Sequence, residues 1–387
     1  PRGVVGVIAP GNFPIAGLYR SVFPALLLGN AVVLKPSEHS PRSSAWFVRQ
    51  LQAELPPHVL ELIQGDGQVG AALVAADIDA CVFTGSSRVG AEVERSCQQR
   101  GIAVSAEQGG NDAAIVLGDA ELPRTVAGIT HWALQNAGQA CGAIEVVYAD
   151  SRIAGPLAER LADAFRRLQA PTEPGLSGTL APLAHEGQLR AVLAQLEDAI
   201  AKGAEVLCGG GHRGLFMEPT VLANCTDDML VVSEETFGPL LPIVAVDGPA
   251  DAIRRVNRGR YGLTASLWTA DTARAEVLAR DLDVGVVTVN NHAFTGAIAD
   301  LPWSGRRDSG HGIANSAWSL LTFARPKTVV VDRSHGVEPF WAPFDDDLVE
   351  LGHLLADAQR GRIARAFRIP LLLQRRAARV KAFFGIG

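Results

Sequence analysis

The sequence has few cysteines, no long apolar run and no large excess of charge of either sign. Its 387 residues include five cysteines, which show neither a Cys-x-x-Cys pair nor a Cys/His spacing suited to a metal. An odd number of thiols in a long chain argues against a disulfide framework and favours reduced thiols. We therefore expect no metal site and a cytoplasmic location.

Further absences narrow the class of protein. No segment reaches the roughly 18 uninterrupted apolar residues of a membrane-spanning helix, and no signal peptide begins at Pro1. The net charge of −6 is mild and argues against general nucleic-acid binding. Hydrophobic residues at 48% and charged residues at 20% indicate a well-packed globular protein, and the length predicts two or three domains.

Apolar runs and helical patterns alternate through most of the chain. In the first part, strands are predicted over residues 4–9, 31–35, 59–63 and 80–84, and helices over 15–29, 43–53 and 67–75. In the second part, strands are predicted over 115–117, 144–148, 205–208 and 284–289, and helices over 124–137, 153–168, 191–202, 251–257 and 272–280. This alternation predicts α/β architecture, with right-handed βαβ units and parallel sheets covered on both faces.

Two predicted strands end in groups suited to a nucleotide. Gly85 and Ser86 open a helix after strand 80–84, where free N–H groups and the helix dipole favour a pyrophosphate. Lys35 and Glu38 end strand 31–35, where an α/β sheet binds an adenosine ribose. A carboxylate there repels a 2′-phosphate, so Glu38 favours NAD over NADP. The alternative is that Lys35 and Glu38 form only a surface ion pair.

A carboxylate and a thiol, Glu107 and Cys141, each stand in a glycine-bearing segment. A thiol is a strong nucleophile as the thiolate, and a nearby carboxylate can act as base for the thiol or for a water molecule. Small neighbours let a substrate approach the backbone closely. Taken alone, Cys141 also fits a small buried apolar side chain, and Glu107 an ordinary turn carboxylate.

Six segments in order carry a resemblance to a known family. They are residues 8–14 (IAPGNFP), 33–38 (VLKPSE), 83–90 (FTGSSRVG), 107–110 (EQGG), 138–141 (GQAC) and 234–239 (EETFGP). Together they resemble the motif set of the NAD(P)-dependent aldehyde dehydrogenases. The resemblance extends roughly over residues 1–332 and is more specific than any single motif.

The resemblance implies a fold and a division of the chain. We expect a Rossmann-like coenzyme domain over residues 1–109, a catalytic domain over 110–310, and a return segment over 311–332 that ends in an oligomerisation strand at 327–332. Residues 333–387 form a basic C-terminal extension. Members of the family carry a further segment before the first strand, so we expect that the chain lacks its natural N-terminus and its coenzyme domain is partial. The resemblance also implies a homo-oligomer, either a dimer or a tetramer.

The resemblance further implies the oxidation of an aldehyde to a carboxylic acid with NAD, or with NADP. Cys141 would attack the aldehyde to give a thiohemiacetal, and a thioester would remain after hydride leaves for the nicotinamide. Glu107 would activate the water that cleaves this thioester, and the Asn12 side chain would donate to the oxyanion together with the Cys141 backbone N–H. The residues expected at the cofactor are Lys35, Ser37, Glu38, Gly67, Phe83, Gly85, Ser86, Gly109, Glu235 and Phe237.

The motifs depart from the family at two places. Gly11 stands where the family usually has Trp, which bears on packing, and Asn111 replaces a Lys that follows the double glycine. Trp132, His292 and Trp303 either line the aldehyde tunnel or belong to the core.

Two alternatives to hydrolytic aldehyde oxidation remain open. In one, the thioester is transferred to a thiol such as coenzyme A; Glu107 argues against this, because a base that activates water suits hydrolysis. In the other, the chain is a non-catalytic truncated homologue. The presence of Cys141, Glu107 and Asn12 together argues against a decayed site.

The C-terminal extension differs in charge from the rest of the chain. Residues 345–359 predict an amphipathic helix with an acidic start, and residues 360–387 contain eight basic residues and no acidic one. Such an extension can dock on an acidic face of the enzyme or on an anionic membrane. Contact with RNA is the remaining alternative.

Overall fold

The structure is a computed structural model that describes residues 1–168 and 180–386. Residues 169–179 of the predicted catalytic domain and Gly387 of the predicted extension lie outside the described residues. The strands are β1 (Val4–Ile8), β2 (Ala31–Lys35), β3 (Leu60–Leu62), β4 (Ala80–Thr84), β5 (Ala103–Glu107), β6 (Asp112–Val116), β7 (Ile144–Asp150), β8 (Glu205–Cys208), β9 (His212–Arg213), β10 (Phe216–Met217), β11 (Thr220–Ala223), β12 (Leu240–Val246), β13 (Thr264–Trp268), β14 (Val286–Val289), β15 (Trp303–Ser304) and β16 (Ile313–Ala314).

The helices connect these strands and cover the sheets. They are α1 (Ala16–Leu27), α2 (Pro41–Gln52), α3 (Gly67–Ala75), α4 (Ser87–Gln99), α5 (Leu122–Leu134), α6 (Ala154–Arg166), α7 (Glu186–Ala201), α8 (Leu230–Ser233), α9 (Pro249–Arg258), α10 (Thr272–Leu278), α11 (Ser316–Ser319), α12 (Asp346–Gln359) and α13 (Ile369–Phe384). Short 3₁₀ turns occupy Gln135–Gly138, Ala279–Asp281, Phe294–Ala297, Leu320–Thr322 and Ile363–Arg368. The chain forms two units, Pro1–Arg325 and Pro326–Gly387.

The first unit contains a five-stranded parallel sheet in the order β3-β2-β1-β4-β5. Its strands are short runs of β-branched and small apolar residues, which suit a sheet buried on both faces. One face packs on α1 and α2 around Leu18, Val22 and Leu34, and the other packs on α3 and α4 around Leu73 and Cys97. The order reverses at β1, and the crevice outside such a reversal is where open α/β sheets bind ligands.

The second sheet of this unit has seven strands in the order β14-β13-β6-β7-β12-β11-β8. All neighbours are parallel except β8, which runs antiparallel to β11 at the edge. Its central strand β7 is buried along its whole length, and two apolar clusters cover its two faces. The predicted α/β class with two parallel sheets is therefore confirmed.

The second unit contains a helical hairpin made of α12 and α13. Leu351, Leu354 and Leu372 form its buried core, with partly buried Ile369 and Leu373 beside them. The Asp345 side chain caps α12 by accepting from the Leu348 N–H at 3.0 Å, and the helix predicted over 345–359 is formed by Asp346–Gln359.

One local prediction was wrong. The helix predicted over 124–137 ends at Leu134, because Asn136 and Ala137 have φ angles of 52° and 57° and leave the right-handed helical region. The strand predicted over 327–332 at a subunit interface stays a prediction, since none of the described residues of the single chain pairs with this segment. A strand needs a neighbour for its N–H and C=O groups, and Val329, Val330 and Val331 are instead 70%, 85% and 68% exposed.

Some elements had no prediction. They are strands β5, β11, β12 and β13, of which the last three belong to the second sheet, and the short elements β9, β10, β15, β16, α8 and α11. Among the described residues, no helix has both the length and the apolar character needed to cross a bilayer.

Candidate active site

A cleft of about 890 Å³ in the first unit brings the predicted site residues together. Every residue predicted for catalysis or cofactor binding lines this cleft: Asn12, Lys35, Ser37, Glu38, Gly67, Phe83, Gly85, Ser86, Glu107, Gly109, Cys141, Glu235 and Phe237. These thirteen residues come from segments that are far apart in the sequence. Their convergence on one concave surface is the main structural observation about function.

The topology of the first sheet explains much of this convergence. Parallel strands place their carboxyl ends at one edge, and the chain segments that follow β1, β2, β4 and β5 all carry predicted residues. Cys141 and Glu235 reach the same edge from the second sheet. Residues 108–111, between β5 and β6, are the short link that passes from one sheet to the other.

Lys35 and Glu38 lie together at the end of β2. The Lys35 Nζ is 3.2 Å from a Glu38 carboxylate oxygen, and Lys35 is 4% exposed whereas the Glu38 side chain is 45% exposed. Burial opposes ionisation of Glu38, but its backbone hydrogen bond and Lys35 together lower the pKa of this carboxyl. Glu38 is thus an ionised acceptor on the wall of the cleft, as well as a partner of Lys35.

The turn after β4 has the shape expected of an anion site. Ser86 is the N-cap of α4, a helix of 13 residues, and no side chain caps the free N–H groups at this end. A Cβ at Gly85 would lie 2.7 Å from the Phe83 ring, so only glycine fits over that ring. At Gly67, the start of α3, a Cβ would meet nothing within 4 Å, which leaves the cleft open there. These residues fit the phosphates of a dinucleotide.

The double glycine after Glu107 packs against two other parts of the site. The Gly110 N–H donates to a Glu235 carboxylate oxygen at 3.1 Å. A Cβ on Gly109 would strike the Glu235 carboxylate, and a Cβ on Gly110 would lie 2.8 Å from the Cys141 carbonyl oxygen. Because Glu235 and Cys141 approach the backbone so closely, glycine is required at both positions. These contacts fix Glu107, Glu235 and Cys141 relative to one another.

Three polar side chains that we did not predict hold the Glu235–Phe237 backbone: Glu145 and Gln195, which are buried, and Gln188, which is half-buried. The Glu145 carboxylate accepts from the Thr236 N–H at 2.5 Å and from the Phe237 N–H at 2.8 Å. Gln188 donates to the Thr236 and Phe237 carbonyls, and Gln195 donates to the Glu235 carbonyl. The signal for Glu145 in the sequence is a single acidic residue inside an apolar strand, which must find partners if it is buried.

The segment before Cys141 has an uncommon backbone. Asn136, Ala137 and Gly138 all have positive φ, and a Cβ on Gly138 would strike the Gly238 backbone. The Asn136 side chain bonds to the Gln139 carbonyl at 3.2 Å. Strained backbone of this kind persists where the surroundings fix it, which is common at functional sites.

Asn12 contacts the same segment from the opposite wall. Its side-chain amide donates to the Gln139 carbonyl at 3.0 Å, and the Phe13 N–H donates to its side-chain oxygen at 3.0 Å. One of the two amide hydrogens of Asn12 is thus used in the structure. Among the described residues no acceptor pairs with the other, and both Asn12 and Cys141 line the cleft.

The electrostatics around Cys141 keep its thiol protonated at neutral pH. Burial, followed by the carboxylates of Glu107 and Asp112, raises the pKa of Cys141 to about 12. Burial also raises the pKa of Glu107 to about 7. Arg20 opposes both shifts and lines the same cleft, and it is a residue that sequence reasoning missed. Glu107 is therefore poised to titrate near neutral pH, as a general base requires.

The tunnel candidates divide between cleft and core. Trp132 and Trp303 line the cleft, whereas His292 is 0% exposed and bonds to the hydroxyls of Ser266 and Thr264. Burial lowers the pKa of His292 to about 3, so it is a neutral core residue.

Asn111, which stands where the family usually has Lys, donates to the Val232 carbonyl at 2.7 Å.

Comparison with known proteins decides what kind of protein carries this cleft. The profile of the aldehyde dehydrogenase family matches residues 1–329. The chain belongs to the aldehyde dehydrogenase family. It is thus an oxidoreductase that acts on an aldehyde with NAD or NADP, as predicted.

Curated relatives of this aldehyde dehydrogenase carry different substrate names. A Mycobacterium ulcerans protein provisionally named succinate-semialdehyde dehydrogenase [NADP(+)] 2 is 36% identical over 345 residues, which are 88% of this chain and 67% of the relative. The 4,4'-diapolycopene aldehyde oxidase of a Methylomonas species is 36% identical over 346 residues, which are 89% of this chain and 65% of that protein.

Solved structures confirm the fold. A protein of Anabaena variabilis provisionally named aldehyde dehydrogenase PutA superposes with a TM-score of 0.85 at 33% identity, over 89% of this chain and 74% of that one. The Mycobacterium tuberculosis aldehyde dehydrogenase complexed with NAD⁺ has a TM-score of 0.82 at 32% identity, over 87% and 71% of the two chains. Among the described residues, no group of three His, Cys, Asp or Glu side chains is suited to hold a metal ion.

Proposed function

We propose that this aldehyde dehydrogenase oxidises an aldehyde to the free carboxylic acid through a covalent intermediate on Cys141. The observation that carries the proposal is the convergence of Cys141, Glu107 and Asn12 on one cleft with the predicted cofactor residues. Bound NAD or NADP supplies the hydride acceptor. The first unit of the chain supplies the nucleophile, the base, the oxyanion donors and the orientation of the reactants.

The chain's own residues act in a definite sequence. The Cys141 thiol gives its proton to the Glu107 carboxylate, which passes it on to solvent. The Cys141 thiolate attacks the aldehyde carbon, and the second amide hydrogen of Asn12 and the Cys141 N–H donate to the developing oxyanion. After oxidation, Cys141 holds an acyl group as a thioester. Glu107, with its pKa of about 7, takes a proton from water, and the hydroxide releases the acid and restores the Cys141 thiol.

Assay of the product tests this proposal against its rivals. The enzyme is incubated with NAD and an aldehyde, with and without coenzyme A, and the acyl product is identified by mass spectrometry. The proposal expects free acid in amounts equal to NADH, independent of coenzyme A. Formation of acyl-coenzyme A would favour the transfer alternative, and the absence of NADH with all aldehydes would favour a non-catalytic homologue.

For the cofactor, we propose a preference for NAD that depends on Glu38. The ionised, partly exposed carboxylate suits the two hydroxyls of an adenosine ribose and repels a 2′-phosphate. Glu38→Gln should raise the kcat/KM for NADP relative to that for NAD by about tenfold, a change of about 1.4 kcal/mol. An unchanged ratio would mean that Glu38 acts only as the ion-pair partner of Lys35.

For the substrate, we propose an aldehyde that carries a carboxylate. Arg20 is the only arginine that lines the cleft in the described part of the chain, and no described carboxylate forms an ion pair with it. Arg20 donates to the Gly296 carbonyl and to the Tyr19 hydroxyl, so its positive charge is held by neutral oxygens. The indole N–H of Trp303, whose ring lies beside Arg20, is buried and has no acceptor among the described residues. A cation without a carboxylate partner and an N–H without an acceptor favour a substrate with an anionic oxygen, as in the name of the Mycobacterium ulcerans relative.

Paired substrates test the role of Arg20. Succinate semialdehyde carries the carboxylate, and butanal has the same length without it. Arg20→Met should raise the KM for succinate semialdehyde roughly tenfold or more relative to butanal, and Arg20→Lys should retain part of the preference. Equal effects on both aldehydes would mean that Arg20 only lowers the pKa of Cys141 and does not bind the substrate carboxylate.

For assembly, we propose a homo-oligomer in which residues 327–332 find the strand partner that the single chain does not provide. The exposed Val329, Val330 and Val331 support this proposal, because an unpaired apolar strand is a ready template for another chain. We also propose a cytoplasmic location for the enzyme. Light scattering of the purified chain, compared with a Val330→Asp variant, tests the assembly.

A further inference from the structure

The turn between α12 and α13 is a surface of the second unit on which exposed arginines and exposed large apolar side chains lie together. Ile363, Phe367 and Leu371 are 71%, 77% and 58% exposed, and Arg360 and Arg365 are exposed between and beside them. We call this surface, residues 360–371, the basic tip. It is not part of the cleft and contains no residue used in the proposed reaction.

Ion pairs within the hairpin explain why the tip differs from the rest of the extension. Arg368 pairs with Glu350, Arg375 lies 3.4 Å from Asp347, and Arg376 and Arg379 lie 2.9 Å and 2.7 Å from Asp345. Four of the eight basic residues are therefore neutralised by the acidic start and middle of α12. These pairs hold α12 and α13 together, and the predicted docking of the extension on an acidic face of the enzyme stays a prediction.

The basic residues of the tip keep their charge available. Arg360 and Arg365 form no ion pair with any described residue, although Arg365 lines a small pocket together with Asp346, Glu350 and Asp357, and Arg362 forms a long ion pair with Asp357 at 3.8 Å. Asp357 is the last acidic residue of the chain, so none follows in the tip. Three large apolar side chains thus lie in water beside three cations, although apolar side chains of this size are ordinarily buried.

We propose that the basic tip docks on an anionic phospholipid membrane. Apolar side chains enter the interface between headgroups and acyl chains, and arginines bind the phosphates above them. Charge complementarity favours this occupant over a second copy of the chain, because two tips in contact would bring six arginines together. The proposal concerns peripheral contact, and it goes beyond the proposed dehydrogenase reaction without depending on it.

Co-sedimentation with vesicles tests the proposal on the full chain. One set of vesicles contains phosphatidylglycerol and phosphatidylcholine, and the other contains phosphatidylcholine alone. We expect binding to the anionic vesicles at low salt and weaker binding at high salt, because salt screens the arginines. Ile363→Ser with Phe367→Ser should weaken binding by about tenfold or more, and Arg360→Gln with Arg365→Gln should remove the preference for anionic vesicles.

Matched controls separate the tip from the rest of α13. Phe383→Ser removes an aromatic side chain of similar exposure at the other end of the helix, and Arg379→Gln removes an arginine that is already paired. Both should bind vesicles as the unchanged chain does, and circular dichroism confirms that every variant is folded. No binding to anionic vesicles by the unchanged chain, or equal losses in tip and control variants, would overturn the proposal. A tip-dependent oligomer without vesicle binding would assign the surface to a second copy of the chain, and also overturn it.

Discussion

The cleft and the C-terminal hairpin hold ionisable groups in opposite ways. Around Cys141, the carboxyls of Glu107, Asp112 and Glu235 lie buried, and burial raises the pKa of each. In the hairpin, carboxylates face arginines near solvent, and the Arg379 hydrogen bond lowers the pKa of Asp345. A carboxyl whose pKa is raised by burial can exchange protons near neutral pH. A carboxyl whose pKa is lowered by an arginine stays ionised and acts as a fixed charge. We therefore expect charge changes in the cleft to alter chemistry and those in the hairpin to alter stability.

Removal of the nucleophile should have the largest effect on activity. Cys141→Ser should lower NADH formation by roughly 10⁴-fold or more, because a serine hydroxyl in this environment lacks a base strong enough to activate it. Binding of NAD, measured by calorimetry, should survive. Activity within about tenfold of the unchanged enzyme would show that another group attacks the aldehyde.

The titration of Glu107 should appear in the pH dependence of turnover. A base must be ionised to act, and the folded pKa of Glu107 is about 7, so the steady-state rate should fall as the pH drops through 7. Glu107→Gln should slow the steady state by about 10²-fold or more and leave a rapid first burst of NADH. It should also remove the limb of the pH profile near 7. A burst and a steady state that fall in step would assign the base to another residue.

The positions of the motifs could be predicted from the sequence, but some groups that support them could not. The strand over Ala80–Thr84 and the helix over Gly67–Ala75 were predicted with their observed bounds, because β-branched runs and glycine turns mark them locally. The left-handed turn at Asn136 and Ala137 has no local signal, since its φ angles are fixed by contacts with distant segments such as Asn12.

Other parts of the fold and the site depend on tertiary contacts, which local sequence patterns do not show. Glu145 and Arg20 act on residues that come close to them only in the folded chain, so no sequence motif marks them. Residues 327–332 have the composition of a strand, yet composition alone does not supply the partner that a strand needs. Local patterns thus defined the elements of the fold, while long-range hydrogen bonds and burial determined the rest.

Glu145 tests whether a buried carboxylate behind the cleft can act by position alone. It holds the Thr236 and Phe237 N–H groups, and so orients Glu235 and Phe237, two of the residues expected at the cofactor. Glu145→Ala should lower kcat/KM for the dinucleotide by about 10- to 100-fold through its KM. Glu145→Gln keeps one acceptor and should recover part of the loss. A loss of thermal stability with unchanged KM would limit Glu145 to a structural role.

In the hairpin, in contrast to the cleft, the loss of a charge should lower the free energy of unfolding and leave the reaction unchanged. The Arg376 guanidinium is 0% exposed, and it donates to the carbonyls of Pro339 and Trp341 and to Asp345. Arg376→Gln should destabilise the hairpin by about 2–4 kcal/mol, because buried acceptors lose their donor. Arg379→Gln is the matched control, since its ion pair with the same Asp345 is half in solvent and exposed pairs contribute little. Hydrogen exchange in α12 and α13 should rise strongly in the first variant and hardly in the second, while kcat and KM stay unchanged in both. A loss of activity in step with hairpin opening would show that the extension takes part in the reaction, and that the two regions are not independent.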